Sequence, residues 1–258
     1  MSSQPLFSSL PPFFLHFMTC RSGALYLFDG ASGQVAHRTL QFAVRQESGR
    51  RCPSNFPLTG VALCPTDSAL FALCGRRDLL VVKAAWTKTP AVDPLARLSF
   101  GAPDGETAAH LDCEALEEAP SSRGGGGGDP TFAAPAVHAA FSRTHPGHLY
   151  VTNPASPGQV LLYDYTSREV VKTLVAPVAA GSDGAITALA LHPSEALLAV
   201  GTTAGSLLLL RLESEAWAEL AAHGEGGAVA GLAFSADGKQ LYSAAASACA
   251  TFVWEVEA

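Results

Sequence analysis

The stretch AITALALHP at residues 185–193 is followed by LLAVG at 197–201 and by GSLLLL at 205–210. The same order of segments returns as VAGLAFSADG at 229–238, LYSA at 241–244 and TFVW at 251–254. Leu191 and Phe234, which occupy equivalent places in the two units, are 43 positions apart. A period of about 40–45 residues with several short strands in each unit is typical of a β-propeller blade. One such sheet cannot bury both of its faces alone, so neighbouring units must stack.

The strands of one blade are labelled a to d in chain order. Two further complete blades fit the same template of β-rich runs separated by turn residues. Their strands are 59–64, 69–74, 79–84 and 95–100 in one blade, and 137–142, 148–152, 159–163 and 169–174 in the other. The first residues supply only strands b, c and d, at 13–20, 24–28 and 34–42, and the last blade ends after strand c.

The sequence therefore predicts an all-β fold, an incomplete β-propeller of four-stranded antiparallel blades with three full and two partial blades. The propeller segment is predicted to span residues 13–258, after a flexible N-terminus of residues 1–12. An incomplete ring leaves strand edges unpaired. We expect the missing blades to be supplied by the rest of a longer chain or by a partner. Pairing of the first strands with the last blade is a further alternative.

The composition excludes several classes of protein. The chain is 48% hydrophobic and 15% charged, with a formal net charge of -7. It therefore has enough apolar material for a core, and it lacks the basic surface that nucleic acids or anionic membranes require. Six cysteines without a C-x-x-C pair indicate a reducing, cytoplasmic compartment, with nuclear or cytoskeletal association left open. No apolar run reaches the roughly 18 residues that span a bilayer.

Residues 101–130 differ from the rest of the chain. They contain five consecutive glycines, 124–128, and seven acidic residues against one basic residue. Such a composition cannot form a packed core, so we expect a flexible, Gly-rich acidic loop inserted between two blades. The glycine run lacks the Gly-Lys-Ser/Thr sequence of a phosphate-binding loop.

The repeated units resemble the WD40 family. The sequence FSADG at 234–238 is similar to the family's F-S-P-D-G turn, and Trp254-Glu255 lies where a Trp-Asp pair ends strand c. The resemblance implies a set of structural repeat positions that pack blades or bond within them. These are Phe28, Tyr163, Asp164, Thr202, His223, Ser243 and Trp254. The family's Asp–His–Ser/Thr–Trp set is incomplete, because Ala204 occupies an Asp position.

One blade is similar to another family. The sequence LYVTN at 149–153, followed by VLLYD at 160–164, resembles a YVTN-type propeller repeat. That family lies near lactonase-like propellers, so the alternative function is binding or hydrolysis of a small molecule. Inward-facing His, Asp or Glu side chains would favour that alternative, whereas small apolar ones would favour a scaffold.

Arginines collect in loops that the template places on one face of the ring. They are Arg21, Arg50, Arg51, Arg76 and Arg77, with Arg45 beside them. Arginine makes planar, charge-assisted contacts with carboxylate or phosphate groups. The pattern predicts a candidate partner-binding face for an acidic or phosphorylated segment of another protein. The alternative interpretation is that these arginines only solvate loops.

No motif predicts chemistry. The pair His145 and His148 and the cluster 110–114 have ligand-type side chains, but neither has the matching second half of a zinc site. A G-x-S-x-G elbow is missing from the sequence. We therefore expect no catalytic residues, no metal and no cofactor. The predicted function is a non-catalytic WD40-like scaffold that mediates protein–protein interaction within a larger complex.

Overall fold

The computed structural model describes residues 15–19, 24–29, 35–45, 51–53, 59–75, 77–85, 91–100, 111–114, 136–156, 158–178, 184–224, 227–245 and 250–256. The regular elements in these ranges are β-strands, numbered β1 to β20, and every pairing between them is antiparallel. The chain divides into two compact units. One comprises residues 1–63 and 67–127, and the other comprises residues 64–66 and 128–258.

The first unit contains two sheets. Sheet I has five strands: β1 (Leu15–Thr19), β2 (Ala24–Asp29), β3 (Val35–Arg45), β4 (Arg51–Pro53) and β9 (Leu111–Glu114). Sheet II has four strands in chain order: β5 (Gly60–Leu63), β6 (Leu70–Cys74), β7 (Asp78–Ala85) and β8 (Ala91–Ser99). The second strand of sheet II is buried along its whole length.

The second unit contains three sheets, each with its strands in chain order. Sheet III comprises β10 (Ala139–Phe141), β11 (His148–Thr152), β12 (Gln159–Asp164) and β13 (Glu169–Val175). Sheet IV comprises β14 (Ile186–Leu191), β15 (Leu197–Thr202), β16 (Ser206–Arg211) and β17 (Ala216–Ala221). Sheet V has three strands, β18 (Val229–Phe234), β19 (Gln240–Ala245) and β20 (Thr251–Glu255).

These sheets confirm the predicted fold class. Four small antiparallel sheets of three or four strands, II to V, have the strand order of β-propeller blades. Sheets II, III and IV match the three predicted full blades, and sheet V has strands a, b and c. Sheet I has the three predicted strands as β1, β2 and β3, and two more strands, β4 and β9, pair with β3.

The acidic insertion contains an element that its composition did not predict. Leu111–Glu114 form β9, which pairs with Gln41–Val44 of β3. The main chain of a strand can pair whatever its side chains are, which is why glycine and acid content gave no sign of it. The remaining residues of 101–130 lie outside the described part of the chain, as do residues 1–12.

Apolar clusters hold sheets III, IV and V together. The cluster between sheets III and IV includes Val160, Leu174, Leu198 and Leu210. The cluster between sheets IV and V includes Leu207 and Leu241. Because sheet IV packs on both faces, all six residues of β15 are buried. This explains the unbroken apolar run LLAVG, which alternation in a half-exposed strand would not give.

Candidate functional site

The predicted arginine face is only partly within the described residues. Arg77 is exposed beside β7, and its carbonyl accepts a hydrogen bond from Phe100 N at 2.8 Å. Arg51 was predicted to lie in a loop, but it begins β4 and pairs with Arg45, because the chain forms a β3–β4 hairpin there. The other three arginines, Arg21, Arg50 and Arg76, lie outside the described residues. A shared arginine surface therefore stays a prediction.

Three of the predicted repeat positions are joined by hydrogen bonds. Trp254 Nε1 donates to Ser243 Oγ at 2.9 Å, and His223 Nε2 lies 3.0 Å from the same oxygen. Ser243 is fully buried. Burial lowers the pKa of His223, which favours the neutral ring. The buried Nδ1 of His223 has no hydrogen-bond partner among the described residues, so the Asp–His contact implied by the resemblance is not formed there.

The remaining repeat positions shape strands and turns. Tyr163 is buried in β12, and Phe28 pairs with Val35 in sheet I. Thr202 Oγ1 accepts a hydrogen bond from Ser206 N at 3.1 Å and so closes the β15–β16 turn.

Asp164 closes the turn that follows β12. Its carboxylate accepts hydrogen bonds from Thr166 Oγ1 at 2.6 Å and from Thr166 N at 2.8 Å. These bonds lower the pKa of Asp164 to about 2. Its local role is therefore that of a turn-forming residue.

A contact between two turns joins sheets III and IV. Glu195, in the β14–β15 turn, has φ of 58°. Its carboxylate accepts hydrogen bonds from Ser142 Oγ at 2.9 Å, Thr144 Oγ1 at 2.6 Å and Thr144 N at 2.9 Å, and from Arg143 N. Burial opposes ionisation of Glu195, but the hydrogen bonds, led by the Thr144 hydroxyl, hold its pKa below the usual value. At neutral pH the ionised carboxylate of Glu195 thus links sheet IV to the β10–β11 turn of sheet III by hydrogen bonds.

The same turn also contacts sheet V. His192 is buried, and its ring packs edge-on against Phe234 with centroids 5.1 Å apart. His192 Nε2 lies 3.0 Å from the carbonyl oxygen of Gly238 and therefore donates, while Nδ1 accepts from Ser194 N at 3.1 Å. Gly238 has φ of 75°, and a Cβ there would come within 2.3 Å of the His192 ring. The β14–β15 turn thus fixes the β10–β11 and β18–β19 turns on its two sides.

A groove of about 500 Å³ opens beside the outer strands of sheets IV and V. It is lined by Leu209, Trp217, Leu220, Leu241, Trp254 and Val256, with Arg211 and Glu255 also in its wall. Ser214 also borders it, and the rest of its lining is apolar, so it suits a large apolar side chain.

The histidines singled out in the sequence form a stacked pair. The rings of His145 and His148 are 5.7 Å apart, and His148 Nε2 lies 4.0 Å from Asp164 Oδ2. Among the described residues no three His, Cys, Asp or Glu side chains are placed to hold a metal ion. No helix in the described ranges has the length and apolar composition needed to cross a membrane.

Comparison with known proteins identifies the repeat. The family model for the WD40 domain of anaphase-promoting complex subunit 4 matches residues 189–253. That range covers most of sheets IV and V, whose strand order is that of propeller blades. The chain is a WD40-repeat protein.

A relative is known from Chlamydomonas reinhardtii, "Centriole proteome protein 16". It is 30% identical to this WD40-repeat chain over 217 residues, which cover 79% of the chain. The chain spans 10% of the length of that relative.

Sequence reasoning missed Glu195 and His192 as inter-sheet contacts. His192 lies in the segment AITALALHP, where it was not predicted as a site residue, and the sequence analysis made no prediction for Glu195. A positive φ in a non-glycine residue and the spacing of neighbouring turns are three-dimensional facts, so no signal in the residues alone pointed to either side chain.

Proposed function

We propose that this WD40-repeat chain is a non-catalytic scaffold that binds other proteins and holds them in a larger intracellular assembly. The observation that carries the proposal is the rigid joining of sheets III, IV and V. Their apolar clusters pack the sheets against one another, and the two contacts of the β14–β15 turn fix the turns between the first and second strands of the three sheets. Fixed loops lose little conformational entropy on binding, which favours recognition of other proteins.

The name of the relative supports a cytoskeletal setting. A protein called a centriole proteome protein shares 30% identity over most of this chain, and we propose that this chain also acts at centrioles or an associated structure. The proposed partner has an acidic or phosphorylated segment that the five arginines, Arg21, Arg50, Arg51, Arg76 and Arg77, contact. Guanidinium groups suit carboxylate and phosphate oxygens because they donate two parallel hydrogen bonds.

Proximity labelling in ciliated cells tests both parts of this proposal. The full protein, fused to a biotin ligase, is expected to label a reproducible set of centriolar proteins. Replacement of the five arginines by alanine is expected to remove a defined subset of these neighbours. The matched control is Arg143→Ala with Arg168→Ala, since both are exposed turn residues of sheet III.

The outcomes separate the two parts. A diffuse protein without reproducible neighbours would contradict the scaffold. If the five-arginine variant keeps every neighbour while the protein stays folded, the arginine surface is wrong and the scaffold stands.

A further inference from the structure

Two arginines are direct partners in the β3–β4 hairpin of sheet I. Arg45, the last residue of β3, pairs with Arg51, the first residue of β4. Arg51 is also one of the five arginines of the proposed partner-binding surface. Like charges directly opposite each other on neighbouring strands repel and destabilise the pairing. A negatively charged group at this end of the hairpin would offset that repulsion, so the hairpin favours an anion there.

Strand β9 brings two acidic residues to the other edge of β3. Asp112 pairs with Ala43, and Glu114 pairs with Gln41. Because Ala43 also pairs with Pro53 of β4, strands β4 and β9 lie on opposite edges of β3. The Gly-rich acidic insertion is thus joined to sheet I beside the hairpin that contains the two arginines.

The register places both kinds of charge on one face of sheet I. Residues that pair across antiparallel strands share a face, and the faces alternate along each strand. One face of β4, β3 and β9 therefore carries the charged residues Arg51, Arg45, Asp112 and Glu114. The other face carries apolar residues and cysteines, namely Cys52, Phe42, Val44, Leu111 and Cys113. The alternation of LDCE in β9 matches that of β3, so the pairing adds acidic residues to the arginine face.

Asp112 and Arg45 occupy diagonal positions on β9 and β3, because Asp112 pairs with the residue two positions before Arg45. Diagonal residues on neighbouring strands are about 7–8 Å apart, a separation that long side chains can bridge. The anion that the arginine pair favours is therefore present in the same chain, on the strand next to Arg45.

We propose that β9 is an internal competitor for the arginine surface. Its residues Asp112 and Glu114 oppose the binding of an acidic partner segment to Arg45 and Arg51. This inference rests on the proposed function, because it specifies how one part of the proposed arginine surface is regulated. The partner segment has the chemistry of β9, an extended stretch with carboxylates at alternate positions. It binds because guanidinium groups donate paired hydrogen bonds to carboxylate oxygens.

A fluorescently labelled peptide copied from residues 110–118, HLDCEALEE, is the probe. It carries Cys113→Ser to prevent disulfide formation. Its binding to the full protein is measured by fluorescence anisotropy at low ionic strength, where charges are least screened. We expect the double variant Asp112→Asn with Glu114→Gln to bind the peptide about fivefold more tightly than wild type, because the arginines lose their internal partners. Both substitutions nearly preserve side-chain size and leave the main chain of β9 unchanged.

The matched control is the double variant Asp104→Asn with Glu106→Gln. These residues have the same types and the same spacing in the same insertion, but they lie outside β9. The control changes the net charge by the same amount, and its affinity for the peptide should equal that of wild type. Equal gains in the two double variants would show a general effect of charge and overturn the proposal. Far-UV circular dichroism checks that each variant keeps its β-sheet content.

Removal of the arginines tests whether the acidic residues act through them. In the background Arg45→Ala with Arg51→Ala, neutralising Asp112 and Glu114 should leave the affinity for the peptide unchanged. A fivefold gain that persists in this background would overturn the proposal.

Hydrogen exchange in the unmodified protein gives a test that does not depend on a variant that folds. Pairing with β3 should slow exchange at the paired amides of Leu111–Glu114. Because coupling between two binding events is reciprocal, saturating peptide should speed that exchange. Exchange that is equally slow with and without saturating peptide would contradict competition by β9.

Failure of this inference is distinct from failure of the proposed function. If the β9 variant gains no affinity but peptide binding still requires the arginines, the arginine surface stands and competition by β9 is wrong. If neither wild type nor the β9 variant binds the peptide, both the competition and this part of the arginine surface are wrong. Proximity labelling then still decides whether the chain is a scaffold.

Discussion

Sheets III and IV pack against each other from their turns to their outer strands. Sheets IV and V pack against each other at their inner strands, and a groove separates their outer parts. At the first interface, Leu174 and Trp217 from the two outermost strands pack on the cluster, and Lys172 Nζ lies 2.5 Å from Glu215 Oε1. At the second interface, a hydrogen bond joins the inner strands β14 and β18, in which Thr187 Oγ1 donates to Val229 O at 2.7 Å. Outside Leu241 the groove begins.

The difference shows what a fourth strand contributes. Both interfaces have a polar contact between turns and an apolar centre. Among the described residues, the interface of sheets III and IV has an outer strand on each sheet, and its peripheral Leu174 is buried, whereas Leu220 of β17 is half-exposed in the groove. The outer strand is therefore a cover for its neighbour as well as the edge of its own sheet.

The largest expected effect compares one repeat position in the two settings. Tyr163 is 1% exposed in a four-stranded sheet, whereas Trp254 is half-buried and borders the groove. Tyr163→Ala should lower the free energy of unfolding by about 3–5 kcal/mol, the range for deletion of a buried aromatic side chain. Trp254→Ala should cost about 2–3 kcal/mol, because less surface is lost. Urea titrations of both variants measure the difference, and a cost for Trp254→Ala at or above that for Tyr163→Ala would show that the groove is closed in solution.

Two adjacent leucines sharpen the comparison within one strand. Leu210 faces the interface with sheet III and is fully buried, while Leu209 faces sheet V and is half-buried. Leu210→Ala should cost about 3 kcal/mol and Leu209→Ala about 1–2 kcal/mol, since a cavity that opens to the groove leaves less unfilled volume. Chemical denaturation of both variants measures their free energies of unfolding, and the comparison holds when their m-values equal that of the wild type. Equal losses would mean that the two interfaces are equally packed.

The repeat allowed the strands of sheets II to V to be predicted because alternation and turn residues report local structure. The run LLAVG and the turn SADG each indicate their element without reference to the rest of the chain. Trp254 and Ser243 could be linked in advance because the WD40 resemblance places them on adjacent strands. The β9 strand could not, since its partner β3 lies about 70 residues earlier and main-chain pairing leaves no compositional signal.

The contacts between sheets were beyond sequence reasoning for a related reason. Glu195 bonds residues more than 50 positions away, and His192 bonds Gly238, 46 positions away. Both contacts depend on how one turn lies beside another, which the residue types within a turn do not specify. The groove depends in addition on a strand position that β17 fills in sheet IV and that no described strand fills in sheet V.

The contact of Glu195 with sheet III makes the stability of the interface between sheets III and IV depend on pH. Its folded-state pKa lies below the usual value of 4.5, so its contribution to stability is fully present above about pH 4.5 and is lost as pH falls through the folded pKa. Glu195→Gln should lower the free energy of unfolding by about 1–2 kcal/mol at pH 7, since charge-assisted hydrogen bonds become neutral ones at a partly exposed site.

The measurement is the difference between wild type and Glu195→Gln from pH 7 to pH 3. That difference should shrink below pH 4.5. Burial lowers the pKa of His138 to about 4, so between pH 6.5 and 4 the unfolded chain binds a proton that the folded protein does not, and stability falls as pH decreases over that range. This effect of His138 is the same in wild type and in Glu195→Gln, so it cancels in the difference between their free energies of unfolding. A gap that stays constant to pH 3 would contradict the role of the Glu195 charge.

The smallest expected effect concerns the outer ion pair of the closed interface. Lys172 and Glu215 remain 43% and 55% exposed, so solvent and salt screen their attraction. Lys172→Ala should lower the free energy of unfolding by about 0.5 kcal/mol or less in dilute buffer, and by less in 1 M NaCl. Thermal unfolding at the two salt concentrations measures it. A loss above about 1 kcal/mol that salt does not reduce would show that the aliphatic stem of Lys172 stabilises the cluster by packing, and that its charge does not. The two interfaces would then differ in stability through packing alone.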